Sequence, residues 1–281
     1  RGEPRPLGAT LPYPSAEFVT PRPVGFTAPD GTAIRGQLFA APGGAARKPA
    51  IVFVHGGPER QMLLGWHYRD YYANAYAVNQ YLASRGFVVL SVNYRLGIGQ
   101  GRAFEQPGHA GADGAAEYQD VLAGARYLQS LASVDGARIG IWGGSYGGYL
   151  TALALARNSD TFKAGVDFQG VHDWSLYLAE QGGPAPRFEQ GDRDMGMKTA
   201  FQSSPVAAVA GWRSPVLLIQ GDDDRNVRFS QTIDLATRLT RTGAPVETLV
   251  LPDETHGFAR HASWVRADAA TVAFFERSLR R

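Results

Sequence analysis

A serine flanked by glycines is the strongest chemical signal in the sequence. The segment Gly143-Gly144-Ser145-Tyr146-Gly147 contains the pattern Gly-x-Ser-x-Gly, between an apolar run at 138–142 and an apolar helical pattern. This context predicts a strained strand-to-helix turn that exposes the serine hydroxyl. Amides at the start of the helix would face an oxyanion forming on an attacked carbonyl. Ser145 is therefore predicted to be a nucleophile, and the alternative is a glycine-rich turn whose serine has no chemical role.

Two later segments contain the acid and the base that a serine nucleophile needs. Three aspartates at 222–224 follow an apolar run at 216–220, and His256 follows a run at 247–251 on a glycine-containing loop. Serine, acid and histidine in this order are typical of such a triad, so His256 is predicted to be the base. The acids could instead form a solvated turn or ligate a cation, although the alternating spacing of a calcium loop is absent. Position alone does not choose among the three.

A glycine pair near the start of the chain could complete an oxyanion site. His55-Gly56-Gly57-Pro58 follows the apolar run at 50–54. Such a pair can turn a backbone N–H toward the serine. We therefore predict that the Gly57 N–H is an oxyanion donor, and the alternative is a simple tight turn.

The elements that must position these residues alternate along the chain. Apolar runs lie at 50–54, 87–92, 138–142, 164–168, 216–220 and 247–251, and helical patterns lie at 71–85, 115–131, 146–157, 229–242 and 262–279. This alternation predicts an α/β fold with a mostly parallel, doubly wound sheet and helices on both faces. Sites in such sheets form beyond the carboxyl ends of the strands, where the motifs lie.

Two other segments have different patterns. Residues 24–28 and 34–40 flank the turn sequence Pro29-Asp30-Gly31, which predicts a β-hairpin. Residues 174–210 show little periodicity and are interpreted as an insertion over the sheet. Residues 1–23 are rich in proline and predict an extended arm or linker, which leaves 24–281 as the catalytic domain.

Composition excludes several classes of protein. The chain has 281 residues, of which 44% are hydrophobic and 19% charged, which predicts a soluble globular protein. No run approaches the ~18 apolar residues of a transmembrane helix, so no membrane partner is expected. A net charge of +2 gives no support for nucleic-acid binding. The sequence has no cysteine, which excludes disulfides, thiolate metal sites and a cysteine nucleophile.

Taken in order, the motifs resemble the catalytic domain of the prolyl oligopeptidase family. They are His-Gly-Gly-Pro, Gly-Gly-Ser-Tyr-Gly-Gly-Tyr, the pattern Gly-x-x-Asp-x-Asn-Val at 221–227, and Asp-Glu-Thr-His-Gly-Phe. The acylaminoacyl-peptidase and dipeptidyl-peptidase-like branches are most similar, and a glycine-rich turn opening with Asn-Tyr-Arg at 93–95 adds to the likeness. The resemblance covers residue 24 to the C-terminus. It implies an α/β-hydrolase fold with Ser145 as nucleophile, Asp224 as acid and His256 as base.

The resemblance also implies how substrate would bind. The Tyr146 N–H becomes one oxyanion donor. Val171, Trp174 and Tyr177 match the segment that forms the apolar walls of the primary specificity pocket, although such residues could also be ordinary core. Asn226 matches a position that hydrogen-bonds the substrate backbone in dipeptidyl relatives.

The sequence departs from the family pattern at three points. His55 stands where relatives that cleave dipeptides often have a tyrosine, so a backbone donor must serve the oxyanion. Gln100 replaces a common tyrosine in the glycine-rich turn. The β-propeller that the family places before this domain is absent from the sequence, and the resemblance implies a propeller from the same precursor as a partner.

The predicted function is that of a serine peptidase acting on short peptides or acyl- or aminoacyl-peptides through an acyl-enzyme, with no metal or organic cofactor. The alternative is an esterase, amidase or acyltransferase acting on small acyl compounds, because the elbow chemistry does not set the substrate. A non-catalytic binding module is a third hypothesis. It would be expected to have lost a triad member, and the chain retains all three.

Overall fold

Eight strands form one mostly parallel sheet. The computed structural model describes residues 18–43, 47–180 and 193–280. The strands are β1 (Arg22–Thr27), β2 (Ala33–Phe39), β3 (Lys48–Val54), β4 (Val88–Asn93), β5 (Val134–Gly144), β6 (Phe162–Phe168), β7 (Val216–Gly221) and β8 (Val246–Leu251). Their spatial order is β1-β2-β4-β3-β5-β6-β7-β8. β2 pairs antiparallel with both β1 and β4, and the later strands pair in parallel.

Helices cover both faces of the sheet. They are α1 (Asp70–Ser84), α2 (Arg102–Glu105), α3 (Tyr118–Ser130), α4 (Tyr146–Arg157), α5 (Trp174–Glu180), α6 (Arg193–Gln202), α7 (Ser230–Thr242) and α8 (His261–Leu279), with short 3₁₀ helices at Gly111–Asp113 and Pro205–Gly211. α1 and α8 pack on one face, and α3, α4 and α7 pack on the other. None of the helices in the described ranges is long and apolar enough to cross a membrane.

The apolar runs form the sheet because both of its faces are buried. In β3, Val52 and Val54 belong to the core under α3 and α4, whereas Ile51 and Phe53 belong to the core under α1 and α8. A strand with two buried faces needs consecutive apolar residues rather than alternation. The predicted doubly wound α/β class is confirmed, as are the six runs, the five long helices and the hairpin of β1 and β2.

The structure differs from the sequence prediction in the segment that contains α5. The segment 174–210, which showed little periodicity, contains α5, α6 and a 3₁₀ helix. α5 is held at its start by Asp173, whose Oδ1 accepts the amides of Ser175 at 2.9 Å and Leu176 at 3.1 Å. A helix of seven residues that depends on such a cap is too short to show a clear apolar period. Residues 181–192 lie outside the described ranges.

The boundary of the proline-rich arm also differs. β1 begins at Arg22, so the sheet includes the last two residues of the segment predicted to be an arm. Residues 1–17 of that segment lie outside the described ranges. The domain limits at 23 and 24 remain a prediction from the sequence.

Candidate active site

Ser145 occupies the strand-to-helix turn that its glycine neighbours predict. β5 ends at Gly144, α4 begins at Tyr146, and Ser145 between them has φ 59° and ψ −119°. This conformation is rare for a residue with a side chain, and it persists only where the surroundings determine it. Here the Ser145 N–H donates to the carbonyl of Phe168 at 2.8 Å, and the Ser145 carbonyl accepts the amide of Tyr149 at 2.9 Å. Both neighbouring elements therefore hold the turn, and its serine is half-buried.

The glycine after the serine is required by a close approach of two backbones. A Cβ at Gly147 would contact the carbonyl oxygen of Val54 and would lie 2.9 Å from that of His55. The end of β3 thus passes directly against the first turn of α4. This contact brings the His55-Gly56-Gly57-Pro58 loop to the serine, where a Cβ at Gly56 would lie 3.1 Å from Ser145 Cβ.

Asp224 and His256 are hydrogen-bonded to each other. Nδ1 of His256 lies 2.8 Å from Oδ2 of Asp224. The Asp224 side chain is fully buried, and its Oδ1 accepts the amides of Asn226 at 2.9 Å and Val227 at 3.0 Å. Because an ionised carboxylate accepts, Nδ1 carries the proton, which leaves Nε2 of the neutral imidazole as an acceptor. The side-chain amide of Gln169 donates a hydrogen bond to the backbone carbonyl of His256.

The other two acids of the 222–224 cluster point elsewhere. Asp222 is exposed, and its Oδ1 accepts the amide of Asp253 at 2.7 Å. Asp223 is exposed and pairs with Arg225 at 3.1 Å. The structure therefore brings only one of the three acids to His256, a choice that position in the sequence left open.

Two cavities share Ser145 and His256 in their walls. One has a volume of about 310 Å³ and is lined by Gly57, Ser145, Tyr146, Val171, Trp174, Tyr177, Arg225, Asn226, Val227 and His256. The other has a volume of about 300 Å³ and is lined by Gly57, Arg60, Arg69, Asp70, Tyr71, Tyr72, Ser145, Asn226, His256 and Gly257. We call the first the aromatic cavity and the second the arginine cavity. They share Gly57, Ser145, Asn226 and His256 and differ in their other walls.

The residues expected to form a substrate pocket lie together in the aromatic cavity. Val171 is buried, and Trp174 and Tyr177 are half-buried. The Trp174 and Tyr177 rings meet edge to face at 5.5 Å, and Trp174 also packs against Tyr146 at 5.9 Å. Their mutual packing makes a firm apolar wall beside Ser145. Asn226, which was also expected at the site, lines both cavities.

The two expected oxyanion donors also lie beside Ser145. Tyr146 is the first residue of α4 and lines the aromatic cavity, and Gly57 lines both cavities. Gly57 has φ 127° and precedes a cis peptide bond to Pro58. A side chain would be strained at this φ, so glycine is required at this position.

His55 contributes backbone but no side chain to the site. Its ring is fully buried and stacks on Tyr94 at 4.4 Å, with Nδ1 2.9 Å from the carbonyl of Gly56. Burial lowers the pKa of His55 to about 4, so the imidazole is neutral at pH 7. The departure at this position thus leaves the oxyanion to backbone donors.

Several site residues were missed by sequence reasoning. The arginine cavity is lined by Arg60 and Arg69 from the loop at 55–69, and by Tyr71 and Tyr72 from the first turn of α1. Burial raises the pKa of both tyrosines, which remain neutral hydroxyls. The available signal was their position directly after β3, at the end of the strand where sites form.

Among the described residues, no group of three His, Asp or Glu side chains could hold a metal ion.

Comparison with known proteins gives the same assignment as the motifs. Residues 74–281 match the prolyl oligopeptidase family. Dipeptidyl aminopeptidase BIII of Pseudoxanthomonas mexicana is 32% identical over 241 residues, which cover 82% of this chain and 33% of that protein. The acylamino-acid-releasing enzyme of Mus musculus is 27% identical over 225 residues, which cover 75% of this chain and 29% of that protein. The chain thus spans about a third of the length of these relatives.

Solved structures share the fold. A puromycin-hydrolyzing peptidase of Mycobacterium tuberculosis superposes with a TM-score of 0.82 at 28% identity, covering 96% of this chain and 41% of that one. Pyrococcus horikoshii acylaminoacyl peptidase superposes with a TM-score of 0.81 at 27% identity, covering 93% of this chain and 42% of that one. The fold is that of an α/β-hydrolase, and the chain belongs to the prolyl oligopeptidase family.

Proposed function

We propose that this chain is the catalytic domain of a serine peptidase that hydrolyses short peptides or acyl- or aminoacyl-peptides through an acyl-enzyme. The observation that carries the proposal is the 2.8 Å hydrogen bond between His256 and buried Asp224, with His256 and Ser145 in the walls of the same two cavities. Relatives named as dipeptidyl and acylaminoacyl peptidases support it.

The first step is attack by Ser145 on the scissile carbonyl. Nε2 of His256 takes the hydroxyl proton as Oγ bonds to the carbonyl carbon. Asp224 holds the imidazole in the required tautomer and stabilises the imidazolium that forms. Two backbone amides bind its other oxygen and hold the carboxylate in this orientation.

Backbone donors stabilise the tetrahedral oxyanion. The N–H groups of Tyr146 and Gly57 are assigned this role because both residues flank Ser145 in the aromatic cavity. The positive end of the α4 dipole adds to the same field. In acyl-transfer enzymes, the loss of one such donor typically lowers the rate by about 10²–10³-fold.

The aromatic cavity takes the acyl portion of the substrate. Val171, Trp174 and Tyr177 offer an apolar surface to the side chain that precedes the scissile bond. Asn226, which lines both cavities, is assigned to hydrogen-bond the substrate backbone. We therefore expect an apolar residue at this position of the substrate.

Collapse of the intermediate releases the amine. The imidazolium of His256 gives its proton to the leaving nitrogen as the carbon–nitrogen bond breaks. Water then attacks the ester carbonyl as Nε2 of His256 takes one of its protons. His256 returns that proton to Oγ of Ser145 as the ester C–O bond breaks and the acid product leaves. The proposed reaction steps need no metal or organic cofactor.

The domain limits follow the same proposal. We assign the segment from β1 (Arg22–Thr27) onward to the catalytic domain, two residues earlier than the sequence predicted, and the residues before it to an arm or linker. A β-propeller from the same precursor is the proposed partner, in keeping with relatives about three times longer than this chain.

The experiment is a substrate panel with a serine control. Blocked and free-amine aminoacyl p-nitroanilides are compared with p-nitrophenyl esters, using the wild-type chain and Ser145→Ala. We expect anilide hydrolysis that Ser145→Ala abolishes, and the preference for blocked or free amines then separates acylaminoacyl-peptidase from aminopeptidase behaviour. Ester cleavage without anilide cleavage would favour an esterase, and hydrolysis that survives Ser145→Ala would refute the mechanism.

A further inference from the structure

The arginine cavity has cations that the reaction described above does not use. Arg60 and Arg69 both line it, together with Ser145 and His256. Within the described part of the chain, neither arginine forms an ion pair. By contrast, Arg225 in the aromatic cavity is paired with Asp223 at 3.1 Å. The two cavities therefore differ in the charge that they offer to a substrate.

Arg60 is positioned by stacking on an aromatic ring. Its guanidinium lies over the Tyr72 ring, 4.6 Å from the centroid, and its Nε is buried with no hydrogen-bond partner among the described residues. Stacking occupies a face of the guanidinium and leaves the N–H groups at its edge available. A Cβ at Gly57 would lie 2.7 Å from Nε of Arg60, so the guanidinium packs closely against Gly57.

Arg69 approaches the same cavity from the start of α1. Arg69 is exposed, and its backbone N–H donates a hydrogen bond to Nδ1 of His67 at 3.0 Å. One acidic residue, Asp70, lines this cavity as well, and its Oδ1 accepts the Tyr71 amide at 2.8 Å. Two guanidinium groups against one carboxylate give this wall a net positive charge.

We propose that Arg60 and Arg69 form a subsite for a carboxylate on the leaving group. This inference rests on the proposed peptidase function and names its preferred substrates. They are short peptides whose released portion has a carboxylate next to the scissile bond, either at its C-terminus or on an acidic side chain. Guanidinium groups suit this ligand because their N–H donors match a carboxylate in charge and geometry.

The assignment to the leaving group follows from the arrangement around the serine. The aromatic cavity takes the acyl portion because it contains the apolar wall and Tyr146. His256 must protonate the leaving nitrogen, and the arginine cavity is the other space that Ser145 and His256 share. The departing amine therefore extends toward Arg60 and Arg69. A cavity of about 300 Å³ suits a short leaving group.

The test compares matched leaving groups on one acyl group, chosen as the best in the nitroanilide panel. That acyl group is joined to alanine with a free carboxylate or a carboxamide, and separately to aspartate amide or asparagine amide. Release of the leaving group is followed by chromatography. The assays are run at physiological ionic strength, where the effect of charges more than about 8 Å from the carboxylate is largely screened. We expect kcat/KM to favour each carboxylate about tenfold over its neutral partner, as for one charged hydrogen-bonded pair. A preference in the alanine pair alone identifies the C-terminal carboxylate as the ligand.

Arginine variants assign that preference to the cavity. Arg60→Gln and Arg69→Gln are each expected to bring the carboxylate-to-neutral ratio toward one, and Arg60→Lys to retain part of it. Because Arg69 is exposed, Arg69→Gln still tests the subsite if Arg60→Gln impairs folding. Arg225→Gln removes an arginine from the aromatic cavity and is expected to keep the carboxylate-to-neutral ratio of the wild type.

Two outcomes would overturn the inference, and they are distinguishable from failure of the proposed function. Serine-dependent hydrolysis with equal rates on carboxylate and neutral partners would refute the subsite alone. A carboxylate preference that persists in both Arg60→Gln and Arg69→Gln would do the same. An absence of serine-dependent hydrolysis on every substrate, nitroanilides included, would refute both the subsite and the peptidase.

Discussion

Oδ2 of Asp224 lies 2.8 Å from Nδ1 of His256, while Oδ1 of the same carboxylate accepts the amides of Asn226 and Val227. The two oxygens thus have separate tasks. One is anchored by the backbone of its own loop, and the other sets the tautomer of the imidazole. The orientation of the carboxylate is determined before any substrate binds.

Asp224→Asn therefore separates orientation from charge. The amide oxygen can still accept the two backbone amides, but its NH₂ then faces Nδ1 and favours the tautomer with the proton on Nε2. We expect kcat on the best anilide to fall by about 10³–10⁴-fold with little change in thermal unfolding. Asp223→Asn alters an exposed neighbour paired with Arg225 and is the control. A kcat for Asp224→Asn within tenfold of wild type would contradict the assigned role.

The Tyr71 hydroxyl packs against Gly144, the residue before the nucleophile. A Cβ at Gly144 would overlap the Tyr71 hydroxyl and lie 3.3 Å from Cβ of Phe168. We expect Gly144→Ala to lower the free energy of unfolding by about 1–3 kcal/mol, because the packed core must shift. Anilide activity should fall with it, since Ser145 is the next residue.

The double variant tests the cause. Tyr71→Phe removes the overlapping oxygen, so Gly144→Ala in that background should cost less than it does alone, as measured by chemical denaturation. Gly65→Ala, at a glycine with open space around it, is the control. Additive effects of Gly144→Ala and Tyr71→Phe would show that the hydroxyl is not the obstacle.

The Tyr146 hydroxyl satisfies a buried carboxylate. It donates to Oε1 of Glu117 at 2.6 Å, and burial raises the pKa of Glu117 while this hydrogen bond lowers it. Tyr146→Phe leaves the carboxylate with fewer donors and raises its pKa further. Because the raised pKa makes ionisation in the fold unfavourable, the variant loses stability as pH rises.

We expect Tyr146→Phe to lower the free energy of unfolding by about 1–3 kcal/mol, with a larger loss at pH 8 than at pH 5. Denaturant unfolding at the two pH values measures the difference. Tyr149→Phe removes a hydroxyl that donates to the neutral carbonyl of Ser203 at 3.0 Å, so its cost should not depend on pH. Equal losses at both pH values in Tyr146→Phe would contradict this account.

Asp268 lies half-buried between α1 and α8, in a groove that Ala77, Val265 and Val272 also line. Burial raises its pKa from 3.8 to about 7, opposed by a hydrogen bond from Asn74 at 3.2 Å. The folded state therefore binds a proton that the unfolded state releases, and stability falls as pH rises from about 4 through 7.

Asp268→Asn removes this dependence. Relative to wild type, the variant should gain about 1–3 kcal/mol of unfolding free energy between pH 4 and pH 8, a range that allows for partial solvation. Thermal or urea unfolding across this range measures the gain. Asp160→Asn, at an exposed aspartate paired with Arg213, is the control. A wild-type minus variant difference that stays constant with pH would refute the raised pKa.

Local sequence patterns predicted the parallel strands, the elbow at Ser145 and the loop that bears His256. Each depends on neighbours within a few residues, because strand burial, glycine conformation and turn chemistry are local properties. The family pattern then selected Asp224 from its cluster. The structure supports that choice for a reason the cluster does not contain, namely burial beside His256.

Tertiary structure alone decided what lines the arginine cavity beside the triad. The sequence by itself determined the ends of the strands and hence the edge of the sheet where Ser145 and His256 meet. It did not predict that Tyr71 would fill the space behind Gly144, or that Arg60 and Arg69 would line a cavity beside the serine. Those placements depend on how the loop at 55–69 packs against α1 and the end of β5. Because such contacts join residues far apart in the chain, no local period or motif encodes them.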